Sequence, residues 1–287
     1  MIKLSIIIVS WNVQDKLKEN LEAIYKSVVD FDFEVFVVDN NSSDESLKML
    51  NNDFAQVNLI KNKINLGFAK ANNQAIRESK GQYILLLNPD MRPQEDTFQN
   101  MINWYAHHED VSLAGCQLIT NTGDNIPHIR QFPTTWDQLM IILKIPHLVP
   151  SVLDGYLRKD FDYNMEAQVD SIRGGFFMIN CKKFSEFPFL DEKYFLWFEE
   201  VDFCRMLKQK GEKVYYTPVA KCVDLVGQSF GQVNRFITQK YFRDSMLEYF
   251  KKWHGIGNYL VLYLAWLPII IIAWFVSKLN IKGSSKT

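Results

Sequence analysis

Cysteine is scarce and badly spaced for chemistry: four residues in 287, none in a C-x-x-C pair and none near a histidine at zinc spacing. Cys116, Cys181, Cys204 and Cys222 each lie in an apolar stretch, so they are expected as buried, reduced thiols in a reducing compartment. No G-x-G-x-x-G and no Walker-type phosphate loop occurs, which removes the dinucleotide and P-loop classes. Charge of one sign is also lacking. Lys plus Arg number 32 against 33 Asp plus Glu, a formal net charge of -1, so no basic field recruits nucleic acid, and none is expected as a partner. There is no internal repeat and no low-complexity run. The apolar N-terminal stretch 1–10 is short, has no small-residue cleavage site and runs into Trp11-Asn12, so it reads as a core strand rather than a signal peptide.

What is present is a folded chain, 47% hydrophobic and 14% aromatic, long enough for one or two domains with a full core. Residues 4–10, 34–38, 57–60 and 83–87 are short apolar runs, as in strands covered on both faces. Between them, 14–29, the stretch from Ser46 and 68–79 carry helical spacing. Strand and helix in alternation predict an α/β fold with a mostly parallel sheet and helices on both faces, and in such sheets ligands bind beyond the carboxyl ends of the strands. A polar residue follows each run: Asn12, Asp39, Asn65 and Asp90. Further on, 112–118, 174–180 and 214–216 read as strands and 203–210 as a helix ended by Gly211.

Residues 259–276 carry no charge and are interrupted only by Pro268. A straight helix of that length covers roughly 27 Å, near the thickness of a bilayer core. Lysines flank it on both sides, so the positive-inside rule leaves its orientation open. Membrane insertion or deep interfacial binding is expected, because no polar face is visible to solvate the helix. A core helix or a homodimer helix is the competing role. The expected organisation is a catalytic unit over 1–230 and a C-terminal helical, membrane-associating segment over 231–287.

Asn88-Pro89-Asp90 places a carboxylate just past a buried strand, where it can hold Mg2+ or Mn2+; a turn or N-cap is the plainer role. Glu199-Glu200-Val201-Asp202 follows an aromatic run. Crowded carboxylates beside aromatic walls can have one pKa raised toward neutrality, which suits a general base, whereas acidic residues opening a helix are the plainer alternative. The Asp39-to-Asp44 cluster reads either as a turn or as a set of acceptors for a nucleobase or ribose. Gly67 marks a helix start whose backbone N–H groups could face a nucleotide.

Together these stretches resemble family 2 glycosyltransferases of the GT-A, Rossmann-like fold, which implies a mixed, mostly parallel sheet, and within them a bacterial rhamnosyltransferase-like branch. The matching segments are Ser5-Ile6-Ile7-Ile8-Val9-Ser10-Trp11-Asn12, Val37-Val38-Asp39-Asn40-Asn41-Ser42-Ser43-Asp44, Asn65-Leu66-Gly67-Phe68-Ala69, Ile84-Leu85-Leu86-Leu87-Asn88-Pro89-Asp90, and Phe195-Leu196-Trp197-Phe198-Glu199-Glu200-Val201-Asp202-Phe203-Cys204. The resemblance implies a nucleotide-sugar site built from Ser10, Asn12, Asp39, Asn41, Asn65, Gly67, Asn72, Asn88 and Asp90. It implies Glu200 as catalytic base where the family more often has Asp, supported by Glu199 and Asp202. Arg130, Gly174, Gly175 and Trp197 fall to the acceptor; a surface Arg and a tight packing point are the plainer roles for Arg130 and the glycine pair. In the stretch 221–229 the family usually places a His that completes the metal site. Asp224 stands there instead, so the metal residues implied are Asp90 and Asp224.

The reaction expected is a metal-dependent, inverting sugar transfer from a nucleoside diphosphate sugar, dTDP-rhamnose-like or a UDP-sugar. The expected acceptor is a lipid-linked or cell-envelope saccharide, at the cytoplasmic face of the cell membrane. A sugar nucleotidyltransferase would need a Gly/Arg/Lys-rich triphosphate loop near the first strand, which Ser10-Trp11-Asn12-Val13-Gln14 lacks. A non-catalytic nucleotide-sugar-binding protein is the other alternative, raised by Asp224.

Overall fold

The structure is a computed structural model that describes residues 1–187, 189–225 and 235–278. Its first half follows the alternation in the sequence. β1 (Leu4–Ser10), α1 (Gln14–Lys26), β2 (Phe33–Asp39), α2 (Ser46–Asp53), β3 (Asn58–Lys61), α3 (Phe68–Glu78) and β4 (Tyr83–Leu87) succeed one another, with β3-β2-β1-β4 side by side and parallel. Helix α1 ends at Lys26, before the expected boundary, and Val28 is exposed.

The sheet then departs from simple alternation. β5 (Met91–Pro93), α4 (Thr97–His107), β6 (Val111–Ile119), β7 (Ile129–Arg130), α5 (Thr135–Ile142), β8 (Ala167–Gln168), β9 (Ser171–Ile172), β10 (Phe176–Asn180), α6 (Glu199–Gln209) and β11 (Lys213–Asp224) complete the large sheet and a small one. The large sheet runs β3-β2-β1-β4-β10-β6-β11-β5, with β8 on β11; β7 and β9 form a separate pair. Strand β10 is antiparallel to both β4 and β6, β11 is parallel to β6, and β5 and β8 are antiparallel to β11. Six of these nine strands therefore share one direction, and β10, β5 and β8 oppose it. The result is the mixed, mostly parallel sheet expected.

Successive strand residues point to opposite faces, and the core divides accordingly. Leu4, Ile6 and Ile8 pack with Leu17, Leu21 and Ile24 of α1 and with Phe98 and Met101 of α4. Ile7, Ile84 and Leu86 face the other way, onto Ala71 and Ala75 of α3 and Phe203 and Leu207 of α6. Burying strands this fully, at about 25 cal/mol per Å² of apolar surface, makes β1, β2 and β4 the fixed platform from which the strand-end loops project.

A third cluster joins α7 (Arg235–Trp253) and α8 (Gly255–Lys278) to α5 and to the aromatic run before α6: Met246, Tyr249, Phe250, Leu262 and Trp266 pack with Ile142, Tyr194 and Phe198. Helix α8 passes through Pro268. Among the described residues no helix is long and apolar enough to cross a membrane. Side chains 271–276 of the expected apolar run, and residues 226–234 and 279–287, lie outside the described residues.

Candidate active site

The topology brings six chain segments to one rim of the sheet. β1, β2 and β4 end there, β10 begins there because it runs against β4, and β11 ends there at Asp224, opposite Met91 of β5. Helix α6 starts there with Glu199 and Glu200. Between these segments lies a cleft of about 610 Å³, within the range of small-ligand sites. Its wall includes Asn65, Gly67, Asn88, Asp90, Arg130, Gly174, Gly175, Trp197, Glu199 and Glu200 from the sequence expectation.

Other expected residues stand behind the wall. Ser10 and Asp39 are register partners at the ends of β1 and β2, both buried. Asp39 Oδ2 accepts the Ser42 N–H at 3.0 Å, while Oδ1 is buried without a partner. Asn12, at φ 54, accepts the Ser43 N–H at 2.7 Å, lashing the first loop to the second. Asn41 is exposed at φ 66; its neighbour Asn40 lines the cleft instead, held by Asn62 Nδ2 at 2.9 Å and donating to the Gly67 carbonyl at 3.2 Å. Asn72 is buried in α3 and caps back to the Phe68 carbonyl at 2.9 Å, so it supports the helix rather than the wall.

Gly67 corrects one expectation. Its N–H donates to Asn65 Oδ1 at 2.9 Å, and the next N–H, of Phe68, donates to the Phe195 carbonyl at 2.7 Å. Neither is available to a nucleotide. Gly67 sits at φ +83, and a Cβ on it would lie 2.4 Å from the Phe195 oxygen. Its role is to let the loop before α3 close onto the aromatic run. The glycine pair behaves similarly. A Cβ at Gly175 would strike Met91, and one at Gly174 would touch Glu200, so both glycines are packing points that also line the cleft.

The aromatic run makes a strained turn. Trp197 and Phe198 both have positive φ, 65 and 66, a conformation that costs of order 1–3 kcal/mol per residue and persists where surroundings enforce it. Here Phe198 is buried in the third cluster. The turn starts α6 so that Glu199 and Glu200 meet the cleft. Burial, and then the charge of Glu200, raise the Glu199 carboxyl well above its ordinary range. Burial also raises Glu200, but its own backbone N–H and the Arg173 and Arg130 guanidiniums pull it back. Glu199 therefore keeps its proton over a range in which Glu200 is ionised. Asp202 lies elsewhere. It accepts from Tyr194 Oη at 3.0 Å, Lys252 Nζ at 2.9 Å and Trp253 Nε1 at 2.6 Å, tying α6 to the end of α7. Its partners leave it no part in the cleft, contrary to the supporting role the resemblance gave it.

Asp90 and Asp224 occupy adjoining positions: the Leu225 N–H donates to the Asp90 carbonyl at 3.2 Å, and the Asp90 charge adds to burial in raising the Asp224 carboxyl. Asp224, the implied metal residue, is partly committed elsewhere, because Arg173 Nη2 donates to its Oδ2 at 2.5 Å. Its Oδ1 is buried without a partner. Among the described residues no three His, Cys, Asp or Glu side chains gather into a metal cluster. Two carboxylates, one with a buried oxygen lacking a partner, still suit a hard cation that completes its shell with substrate phosphate and water.

Sequence reasoning passed over Arg173 and His128, and it included Asn40 only as one member of the Asp39-to-Asp44 cluster. Burial lowers His128 to about 4, so the imidazole in the cleft wall is neutral. The only signal for Arg173 is a lone cation between Ile172 and Gly174 in an apolar stretch.

Known proteins agree with this architecture. A mannosyltransferase of Pyrobaculum calidifontis, solved with GDP-Man and Mn2+, superposes with a TM-score of 0.57 over 98% of this chain and 76% of that one, at 16% identity, a likeness of fold. A low-salt glycan biosynthesis hexosyltransferase of Haloferax volcanii is 27% identical over 207 residues, 70% of this chain but only 60% of that protein's length. A rhamnosyltransferase of Escherichia coli strain K12 is 25% identical over 253 residues, 83% of this chain and 88% of its own. The model of glycosyl transferase family 2 matches residues 5–186, and the chain belongs to that family.

Proposed function

We propose that the chain transfers a sugar from a nucleoside diphosphate sugar to a hydroxyl of a lipid-linked or cell-envelope saccharide, with inversion at the anomeric carbon. The observation that carries this reading is that Glu200 and Asp90, from distant parts of the chain, line one cleft, with the buried Asp39 carboxylate at the neighbouring strand end. Asn40 and Asn65 line the nucleoside end, with Asp39 buried behind them. At the acceptor end, Arg130 and Trp197 share the cleft wall with Glu200. The acceptor oxygen attacks the anomeric carbon from the face opposite the diphosphate; that C–O bond forms as the bond to the diphosphate oxygen breaks. Glu200 takes the hydroxyl proton. Glu199, holding its own proton, keeps a second negative charge out of the site. Asp90 and Asp224 would hold Mg2+ or Mn2+, which supplies charge neutralisation to the leaving diphosphate.

The donor is taken as dTDP-rhamnose-like or a UDP-sugar; similarity to a rhamnosyltransferase and a hexosyltransferase supports a rhamnosyl or other hexosyl group as the sugar moved. We place the enzyme at the cytoplasmic face of a cell membrane, docked through α8. Ile256, Leu260 and Leu264, spaced four residues apart, are all exposed on that helix, and Trp136 of α5 is exposed too. A helix facing water on one side would carry polar residues there.

A panel of dTDP-, UDP- and GDP-sugars, with a lipid-linked saccharide acceptor and Mn2+, tests the reading. The expected result is transfer from one donor, with the product anomer opposite to that of the donor by NMR. Retained configuration, or no turnover of any donor, would contradict it.

A further inference from the structure

Arg173 enters the cleft from the connection between β9 and β10. Its backbone N–H donates to the His128 carbonyl at 3.2 Å, which fixes the main chain. The Asp224 carboxyl that it grips is fully buried, at the end of a strand paired on both sides, whereas Arg173 keeps 34% of its side-chain exposure in the cleft wall. A guanidinium carries five N–H donors in a rigid fork. The bond to Asp224 uses one, and no second guanidinium hydrogen bond is formed among the described residues. The side chain is thus held in place with most of its donors unspent and directed along a wall it shares with Asp90 and Glu200.

Charge decides what such a group is for. Asp90 and Asp224 together carry two negative charges, and a donor diphosphate brings more of the same sign. Without a cation in the wall, the strand-end rim would repel its ligand. The two oxygens of Asp224 divide cleanly: Oδ2 braces Arg173, and Oδ1 remains without a partner. One carboxylate can therefore hold the guanidinium and still offer an oxygen to a metal.

We infer that Arg173, braced by Asp224, is a resident cation of the donor-diphosphate site and holds a nucleoside diphosphate in the cleft even when no divalent metal is bound. This rests on the donor-site reading above. Asp224 then acts as a positioning residue for Arg173 as well as a metal ligand.

Calorimetric titration of the full chain with UDP, GDP and dTDP, in Mn2+ and after exhaustive chelation, tests it without reference to turnover. The wild-type chain should keep measurable affinity for its preferred nucleotide in chelator. Arg173→Gln should weaken that metal-free binding about ten- to a hundredfold, the range of a lost charge-assisted hydrogen bond. The loss should be smaller with Mn2+ present. Arg173→Lys, which keeps the charge but not the fork, should fall between the two. If Arg173→Gln fails to fold by thermal melting, Arg173→Lys decides: reduced metal-free affinity supports the inference and undiminished affinity overturns it. Complete loss of wild-type binding on chelation, or a folded Arg173→Gln that binds like wild type in chelator, overturns it alone. Failure of all three nucleotides to bind even with Mn2+ overturns the donor-site reading along with it.

Discussion

Glu199 and Glu200 are neighbours in sequence with unequal surroundings, and two predictions follow from that inequality. Folded Glu199 binds its proton more tightly than the unfolded chain does, so the stability it contributes is present below its ordinary value of 4.5 and is lost as pH rises toward its raised folded pKa. Glu199→Gln, which keeps the neutral shape, should melt above wild type at pH 8, and the gap should close as the pH approaches 4.5. Glu200 must be ionised to act as a base, so activity should rise with pH along a limb lying above the ordinary carboxylate value. Arg130→Gln removes a charge that favours its ionised form, so that limb should move to higher pH. Asp202 makes a structural prediction. Asp202→Asn leaves Lys252 and other donors short of a charged acceptor, at a cost of roughly 2–3 kcal/mol, discounted because Lys252 is partly exposed. Melting curves should show it several degrees below wild type. In sequence, Glu199, Glu200 and Asp202 look alike, three carboxylates in four positions. Only the packing of α7, some fifty residues later, separates the one that ties helices together from the two that meet the cleft.

At the scale of elements, β1, β2 and β4 were legible because buried parallel strands are apolar on both faces, and their polar ends marked the rim. Strands β5, β7, β8 and β9 have two or three residues, too few for any period to register. Strand β11 is read from sequence only as 214–216, yet it extends to Asp224; Pro218 and Lys221 break its pattern, and register shifts relative to β6 absorb the break. Asp224's partner lies 51 residues back, at Arg173, a pairing that local spacing cannot reveal. Two glycines at positive φ give a test. Gly123→Ala, at φ +88 with open space around the added carbon, should cost only the conformational strain, about 1 kcal/mol. Gly67→Ala must also displace the Phe195 carbonyl, and roughly 3 kcal/mol is expected. Denaturant unfolding should order them that way, and nucleotide affinity should fall only for Gly67→Ala. Equal losses would mean that the contact between the loop and the aromatic run is unimportant.

For the whole molecule, the proposed nucleoside end, diphosphate position and base all lie at one rim of the sheet, and α5, α7 and α8 pack against the aromatic run that leads into α6. The apolar face of α8 predicts that the chain sediments with phosphatidylcholine–phosphatidylglycerol vesicles and that Leu260→Asp with Leu264→Asp reduces this severalfold. Binding that survives both changes would place the docking surface elsewhere. The most direct measurement compares wild type, Glu200→Gln and Glu200→Ala for both kcat and donor affinity. Loss of a general base predicts kcat lower by about a hundred- to ten-thousandfold with donor affinity nearly unchanged. Full turnover in both variants would contradict the assignment of proton removal to Glu200, and with it the account of the cleft as a sugar-transfer site.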